Sequence, residues 1–150
     1  MCVSTSINGA TSKKDLFIST YKTARKTADD SYKDWRAAGT IIKTDNELFN
    51  ICLEQSFRDC FILRQTTPTG TGIAAGVPWF CALFGRDAAL IALQLVSYVP
   101  SMVKEIIEVL AAYQGTKHND YSEERPGRIL HELRLGELAR TGFVPHSPYY

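Results

Sequence analysis

The sequence has almost no net charge, because 17 lysine and arginine residues are balanced by 16 aspartate and glutamate residues among 150 positions. Nucleic-acid binding depends on a basic surface that neutralises phosphates, so this balance gives it no electrostatic support. Intrinsic disorder needs low hydrophobicity and high net charge, and 45% of these residues are hydrophobic. The length and the apolar content therefore predict a folded domain of ordinary size with a packed core.

Cysteine is scarce, with four residues and no Cys-x-x-Cys pair among them. Cys52, Cys60 and Cys81 lie in apolar or helix-periodic stretches, which favours buried free thiols over a disulfide framework. The start of the chain, including Cys2, lacks the charged end, apolar run and small-residue cleavage site of a secretory leader. We therefore expect a cytoplasmic protein.

No apolar stretch is suited to crossing a membrane. Residues 73–99 are long enough, but Arg86 and Asp87 lie at their centre, where each charge would cost about 2.5–3.5 kcal/mol. Gly76 and Pro78 would also break a helix there. The stretch instead predicts a buried core around a buried ion site.

Sequence signals for metals, cofactors and a hydrolase nucleophile are weak or absent. His118, His131 and His146 do not have the spacing of metal ligands, and no Gly-x-Ser-x-Gly motif is present. The segment 70–75 fits Gly-x-Gly-x-x-Ala, but it lacks the preceding strand and the following helix that a dinucleotide site needs. We expect no metal and no cofactor, and a small oxidoreductase is the least favoured alternative.

The apolar spacing predicts four helices and no strand, and therefore an all-α fold built from helical hairpins. The third of these helices is apolar on every face, so we expect other elements to enclose it. A capping box, Thr44-Asp45-Asn46-Glu47, marks the start of the second helix, and Ser101 is the predicted N-cap of the fourth. The helices are predicted from Phe17 to Gly39, from Thr44 to Thr66, from Arg86 to Val96 and from Ser101 to Gly115.

The most informative segment is the loop of glycine, proline and aromatic residues that leads to Arg86 and Asp87. We expect Asp87 to pair with Arg86 and to be favoured by the dipole of the helix that begins there. The planar donors of Arg86 are suited to binding hydroxyl groups, and Trp79 and Phe84 offer the flat faces on which sugar rings stack. A purely structural ion pair under packed aromatic rings explains the same residues equally well.

A second polar cluster, residues 126–134, contains His131 and Glu132 in an otherwise apolar stretch. A solvated edge of the protein and a functional site are equally favoured for this cluster. The residues of both clusters therefore remain candidates on the sequence alone.

Several motifs together resemble one family, the amylo-α-1,6-glucosidase-like (glycogen-debranching-like) glycosidases of bacteria and archaea. The resemblance covers Trp35 to Tyr150 and rests on WRAAGTIIKTDNELFNICLEQSFRDCFIL, AGVPWFCALFGRDAALIALQ, VLAAYQGTKHND, EERPGRILHELRLGELA and VPHSPYY. It implies a glycoside hydrolase acting on α-glucans. The implied fold is the first part of an (α/α) six-hairpin toroid, over residues 39–150, preceded by a tail and linker helix over residues 1–38.

The resemblance also implies roles for individual residues. Arg86 and Asp87 match the Gly-Arg-Asp motif that binds hydroxyls of the terminal glucose, with Trp79 and Phe84 shaping the pocket wall. His131 and Glu132 match a pocket-facing segment. The chain departs from the family pattern in Ala88, where relatives usually have serine, and in Asp59-Cys60-Phe61, where relatives have Asp-Leu-Arg.

Such hydrolases need two carboxylates, one acid and one base, and the resemblance implies that both lie beyond Tyr150. We therefore expect the 150-residue chain alone to be inactive. The expected partners are an α-glucan or oligosaccharide, and a second copy or a complementing C-terminal portion, but neither nucleic acid nor membrane. The alternative is a non-catalytic helical binding or scaffold module.

Overall fold

The computed structural model describes residues 21–150. The chain divides into two compact units, residues 1–37 and residues 38–150. In the first unit the described part is one helix, α1, Tyr21–Ala37. The first predicted helix thus coincides with α1 within this range, and its expected start at Phe17 lies outside the described residues.

The second helix, α2, spans Glu47–Ile62. Its N-cap is Asn46, whose side-chain oxygen accepts a hydrogen bond from the backbone N–H of Phe49 at 3.0 Å. The hydroxyl of Thr44 instead accepts the backbone N–H of Asn46 at 3.2 Å. The predicted capping box is therefore wrong, since asparagine is at least as strong an N-cap as threonine and lies directly before the first turn.

Residues 64–73 form an antiparallel hairpin. β1 (Arg64–Thr67) pairs with β2 (Gly70–Ile73) through a two-residue turn, Pro68-Thr69. The Thr67 hydroxyl donates to the Gly70 carbonyl oxygen at 2.9 Å and closes the turn. Most of the glycine-rich segment 70–75 is therefore the second strand of a hairpin.

A second pair of strands joins distant parts of the chain. β3 (Leu83–Phe84) pairs antiparallel with β4 (Glu132–Leu133). Single bridges extend this pairing, from Ala74 to β3 and from Tyr149 to β4. The prediction of an all-α fold as the first part of a six-hairpin toroid is wrong, because the described residues contain two antiparallel sheets beside five helices.

The core lies between two helices and the first hairpin. α3 (Gly85–Leu95) packs against α4 (Pro100–Ala112), and α4 also packs against β2. Val99 is the N-cap of α4 in place of the predicted Ser101, since Pro100 occupies the first helical position. A short helix, α5, follows at Glu137–Arg140. The most deeply buried side chains are Ile73, Leu83, Val99, Met102, Ile106, Val109 and Leu130.

The third helix is not enclosed, which contradicts the prediction from its apolar composition. Ala88, Ala92 and Leu95 form its buried face, whereas Leu90 and Leu93 are 52% and 71% exposed. α3 has 11 residues. Within residues 21–150, no helix combines the length and the apolar character that crossing a membrane requires.

The cysteines are more accessible than predicted. Cys52 and Cys81 are exposed free thiols, and Cys60 is a half-buried one. Burial, reinforced by the adjacent Asp59 carboxylate, raises the pKa of the Cys60 thiol. Cys2 lies outside the described residues. The prediction of buried thiols is therefore wrong for Cys52 and Cys81.

A close approach between α3 and the residues before β4 requires glycine at position 85. The backbone N–H of Gly85 donates to the His131 carbonyl oxygen at 3.1 Å. A Cβ atom at position 85 would lie 2.0 Å from the carbonyl oxygen of Leu130, far inside contact distance. Any side chain at this position would therefore push the start of α3 away from His131.

Gly85→Ala is expected to lower the free energy of unfolding by about 1–3 kcal/mol or more, because the added methyl group forces the backbone to shift. The matched control is Gly76→Ala, since a Cβ atom at position 76 would meet nothing within 4 Å. We expect this control to change stability by less than about 0.5 kcal/mol. Chemical denaturation of both variants measures the difference, and equal effects would contradict the steric argument.

The loop between α4 and β4 is organised around one buried carboxylate. Glu124 Oε1 accepts the backbone N–H groups of Thr116 at 2.9 Å and Lys117 at 3.3 Å. The hydrogen bond from Thr116 lowers the pKa of the Glu124 carboxyl below its ordinary value, although burial acts in the opposite direction. The loop is thus held by the ionised form of Glu124.

This hydrogen bonding makes the stability of the loop depend on pH. A depressed folded-state pKa stabilises the fold above the ordinary carboxyl pKa of about 4.3, and the effect is lost as the pH falls through the lower folded-state pKa. We therefore expect Glu124→Gln to lower Tm near neutral pH and the gap to wild type to close in acid. Thermal melts between about pH 2.5 and pH 7 test this, with the exposed Glu137→Gln as control. A gap that is unchanged in acid would contradict it.

Candidate functional site

A cavity of about 520 Å³ opens at the N-terminus of α3, and we name it the α3 cavity. Its volume lies in the range of about 300–1,000 Å³ that is usual for small-ligand sites. It brings together four of the residues that the sequence singles out, and Trp79 and Glu132 are not among its lining residues. The lining residues are Ala75, Phe80, Phe84, Arg86, Asp87, Leu90, Ile91 and His131.

The first turn of α3 brings Arg86 and Asp87 to the cavity. β3 runs directly into the helix, so that Phe84 is the N-cap, with extended backbone angles (φ −108°, ψ 124°) and no capping hydrogen bond from its side chain. The Asp87 carboxylate lies near the positive end of the helix dipole, which favours negative charge. Asp87 is half-buried and Arg86 is exposed, so the predicted buried ion site is wrong.

The polar side chains of the α3 cavity form no hydrogen bond or ion pair with one another or with other residues of the range 21–150. Neither Arg86 nor Asp87 makes an ion pair or a side-chain hydrogen bond with any residue of the range 21–150, and the His131 imidazole makes no hydrogen bond there. The predicted pairing of Arg86 with Asp87 is therefore wrong, since adjacent residues of a helix do not face each other. A cation, a carboxylate and an imidazole are thus all available to a ligand.

Aromatic rings hold the imidazole of His131. Its ring centroid lies 5.7 Å from that of Phe84 at an interplanar angle of 89°, and 6.0 Å from that of Tyr149 at 81°. Edge-to-face pairs at such distances contribute about 0.5–1.5 kcal/mol each beyond their buried area. His131 as a whole is exposed, so two aromatic rings contact the imidazole without enclosing it.

The apolar wall of the cavity includes a residue that sequence reasoning missed. Phe80 lines the cavity and packs edge-to-face on Phe84 at 6.1 Å. Trp79, which the sequence favours for this wall, is instead 82% exposed. The backbone N–H of Gly76 donates to the Phe80 carbonyl oxygen at 3.0 Å and folds the loop tightly at this point. The adjacent aromatic residues Trp79 and Phe80 indicate an aromatic cavity wall in the sequence, but the sequence does not show which of the two rings forms it.

Glu132 is the first residue of β4 and, unlike the adjacent His131, is not among the lining residues of the cavity. Its side chain is 6% exposed and forms an ion pair with Arg134, and its Oε2 lies 3.5 Å from His146 Nε2. Arg134 is 46% exposed and His146 is 30% exposed. Glu132 therefore contacts Arg134 and His146 and is not among the residues that line the cavity.

Glu132→Gln is expected to lower the free energy of unfolding by about 1–3 kcal/mol, because it leaves the charge of Arg134 without its carboxylate. The loss should be smaller than the 3–5 kcal/mol typical of a fully buried pair, since Arg134 is half-exposed. The matched control is Glu137→Gln, which breaks an exposed pair with Arg140 and should cost at most about 1 kcal/mol. Equal losses in denaturant titrations would argue against an anchoring role.

The chemistry of the α3 cavity is the main guide to function. Within the described part of the chain, no three His, Cys, Asp or Glu side chains are grouped so that they could hold a metal ion. The cavity combines a guanidinium, a carboxylate and an imidazole with an aromatic wall, which suits a small ligand that has both hydroxyl groups and an apolar face. No protein-family model and no curated protein matches the chain.

Proposed function

We propose that the chain binds the terminal sugar of an α-glucan in the α3 cavity, as the sugar-binding portion of a glycoside hydrolase of the amylo-α-1,6-glucosidase type. The observation that carries the proposal is the set of unpartnered side chains at the cavity. Arg86 and Asp87 lie beside the imidazole of His131, and none of the three is satisfied within residues 21–150. Polar groups arranged in this way around a concave site favour a ligand rich in hydrogen-bonding groups.

The wall of the cavity supports a sugar in particular. A glucose ring carries hydroxyls around its edge and apolar C–H groups on its faces. The guanidinium of Arg86 can donate two parallel hydrogen bonds, and the carboxylate of Asp87 can accept two. Phe80 and Phe84 supply aromatic surface for the C–H face.

The motif resemblance supports the same ligand. The Gly85-Arg86-Asp87 sequence matches the family motif that binds hydroxyls of the terminal glucose, and it coincides with the first turn of α3 at the cavity. Gly85 also has a steric reason to be glycine, since a Cβ atom there would collide with Leu130. A single short motif therefore contains the glycine that the close backbone approach requires and the two charged groups of the site.

The residues of the cavity favour binding over hydrolysis. A glycosidase of the usual kind needs two carboxylates on either side of the glycosidic bond. Asp87 is the single carboxylate among the lining residues that the structure describes, and Glu132 instead pairs with Arg134. This observation also favours the alternative, a non-catalytic module that binds the same sugar.

The proposed location is the cytoplasm. Cys52, Cys60 and Cys81 are free thiols, and reduced thiols are typical of cytoplasmic proteins. The proposed partner is the glucan itself.

Isothermal titration with maltotriose tests the proposal. Arg86→Gln and Asp87→Asn are each expected to weaken binding about 10- to 100-fold, the value of one or two charge-assisted hydrogen bonds. Arg140→Gln is the matched control, because Arg140 is an exposed arginine in α5. The same samples are incubated with isomaltose, panose and a glycogen limit dextrin, and we expect no release of glucose.

Three outcomes of this experiment would count against the proposal. Wild-type chain that binds none of these sugars would refute the ligand. Arg86 and Asp87 variants that bind like Arg140→Gln would place the sugar elsewhere. Glucose release that Asp87→Asn abolishes would refute the binding-only role of the chain.

A further inference from the structure

The orientation of the His131 imidazole depends on its neighbours, because no hydrogen bond to its nitrogens fixes it within the described residues. The rings of Phe84 and Tyr149 both pack edge-to-face with the imidazole, at nearly right angles. Phe84 is itself held in the sheet, as part of β3. Whether the imidazole stays in place therefore depends on how firmly Tyr149 is held.

Tyr149 is held at both of its ends. Its backbone carbonyl oxygen accepts the N–H groups of His131 at 2.7 Å and Glu132 at 3.0 Å, and its own N–H donates to the Glu132 carbonyl oxygen at 2.9 Å. Its hydroxyl donates to Glu123 Oε1 at 2.7 Å. His146 packs on the Tyr149 ring at 5.4 Å. The side chain is thus held at its backbone and at its hydroxyl, with His146 against the ring.

Glu123 is placed for this contact by an unusual backbone conformation. Its φ of 56° lies in the left-handed region, which non-glycine residues adopt where surrounding contacts impose it. Arg128 supplies such a contact, since its Nη1 donates to the Glu123 carbonyl oxygen at 2.9 Å and its Nη2 lies 3.8 Å from Oε2. The hydrogen bond to Glu123 also raises the pKa of the Tyr149 hydroxyl, which is the expected effect of a carboxylate that accepts the phenolic proton.

We infer that Tyr149 is a positioning residue for the α3 cavity, and that Glu123, through the Tyr149 hydroxyl, fixes the imidazole of His131 toward the bound ligand. The inference rests on the proposed function for the identity of that ligand, an α-glucan end. Tyr149 and Glu123 do not line the cavity, so their effect on binding passes through His131. A loosely held imidazole would lose part of the hydrogen-bond geometry on which an affinity depends.

The experiment compares four variants of the full chain. Tyr149→Phe keeps the ring and removes the hydroxyl that donates to Glu123, and Tyr149→Leu removes the ring as well. Glu123→Gln keeps a side-chain oxygen that accepts the hydroxyl, and is the conservative variant. Tyr121→Phe is the matched control, because it removes a tyrosine hydroxyl that donates to the Gly142 carbonyl oxygen at 2.9 Å, away from His131.

Two readouts are taken. The first is the imidazole ¹H and ¹⁵N resonances of His131 in the absence of ligand, assigned through their loss in His131→Gln. The second is the maltotriose Kd. Tyr149→Phe is expected to shift and broaden the His131 resonances. It is also expected to raise Kd about 3- to 10-fold, the value of one hydrogen bond between His131 and the ligand. Glu123→Gln is expected to stay close to wild type, and Tyr149→Leu to exceed Tyr149→Phe in both readouts.

The outcomes separate this inference from the proposed function. His131 resonances in Tyr149→Phe that match those in Tyr121→Phe would overturn the positioning role. Resonances that shift while wild-type chain binds no maltotriose would support the positioning role and refute the sugar. If wild-type chain binds maltotriose, and Tyr149→Phe shifts the His131 resonances but leaves Kd unchanged, the claim that His131 orientation matters to the ligand would be overturned.

Discussion

The close contact between Gly85 and the backbone at Leu130 is the constraint on which the rest of the site depends. It brings the first turn of α3 against the segment that leads into β4, with the Gly85 N–H bonded to the His131 carbonyl oxygen. β3 pairs with β4 and leads directly into α3, so one continuous segment of the chain forms both the strand pair and the start of the helix. Without this contact, Arg86 and His131 would not share a cavity.

Arg86, Asp87 and His131 have no hydrogen-bonding or ionic side-chain partner among residues 21–150. Arg86 and Asp87 lie in the first turn of a helix, and the imidazole of His131 packs against two rings. Groups that are fixed before a ligand arrives lose little freedom on binding, which is a general source of affinity and selectivity. The buried carboxylate of Glu132 lies behind them, where it stabilises the strand and its charged neighbours.

The helices were predictable because a helix is a local structure. α2 begins close to its predicted start, and α3 and α4 lie where the apolar spacing and Pro100 place them. The strands were missed because each has only two to four residues and derives its stability from a distant partner. Alternation of polar and apolar residues is not detectable over so few positions.

The sequence by itself determined the positions of the main helices, the absence of a strong net charge and the placement of Arg86 and Asp87 at the start of the third helix. Those features depend on residues near one another in the chain. Only the tertiary structure decided that His131 joins them in one cavity, that Phe80 and not Trp79 forms the wall, and that Glu132 pairs with Arg134 and does not line the cavity. These outcomes depend on pairing between β3 and β4 and on the space available beside Gly85, and no pattern of neighbouring residues encodes a contact between segments so far apart.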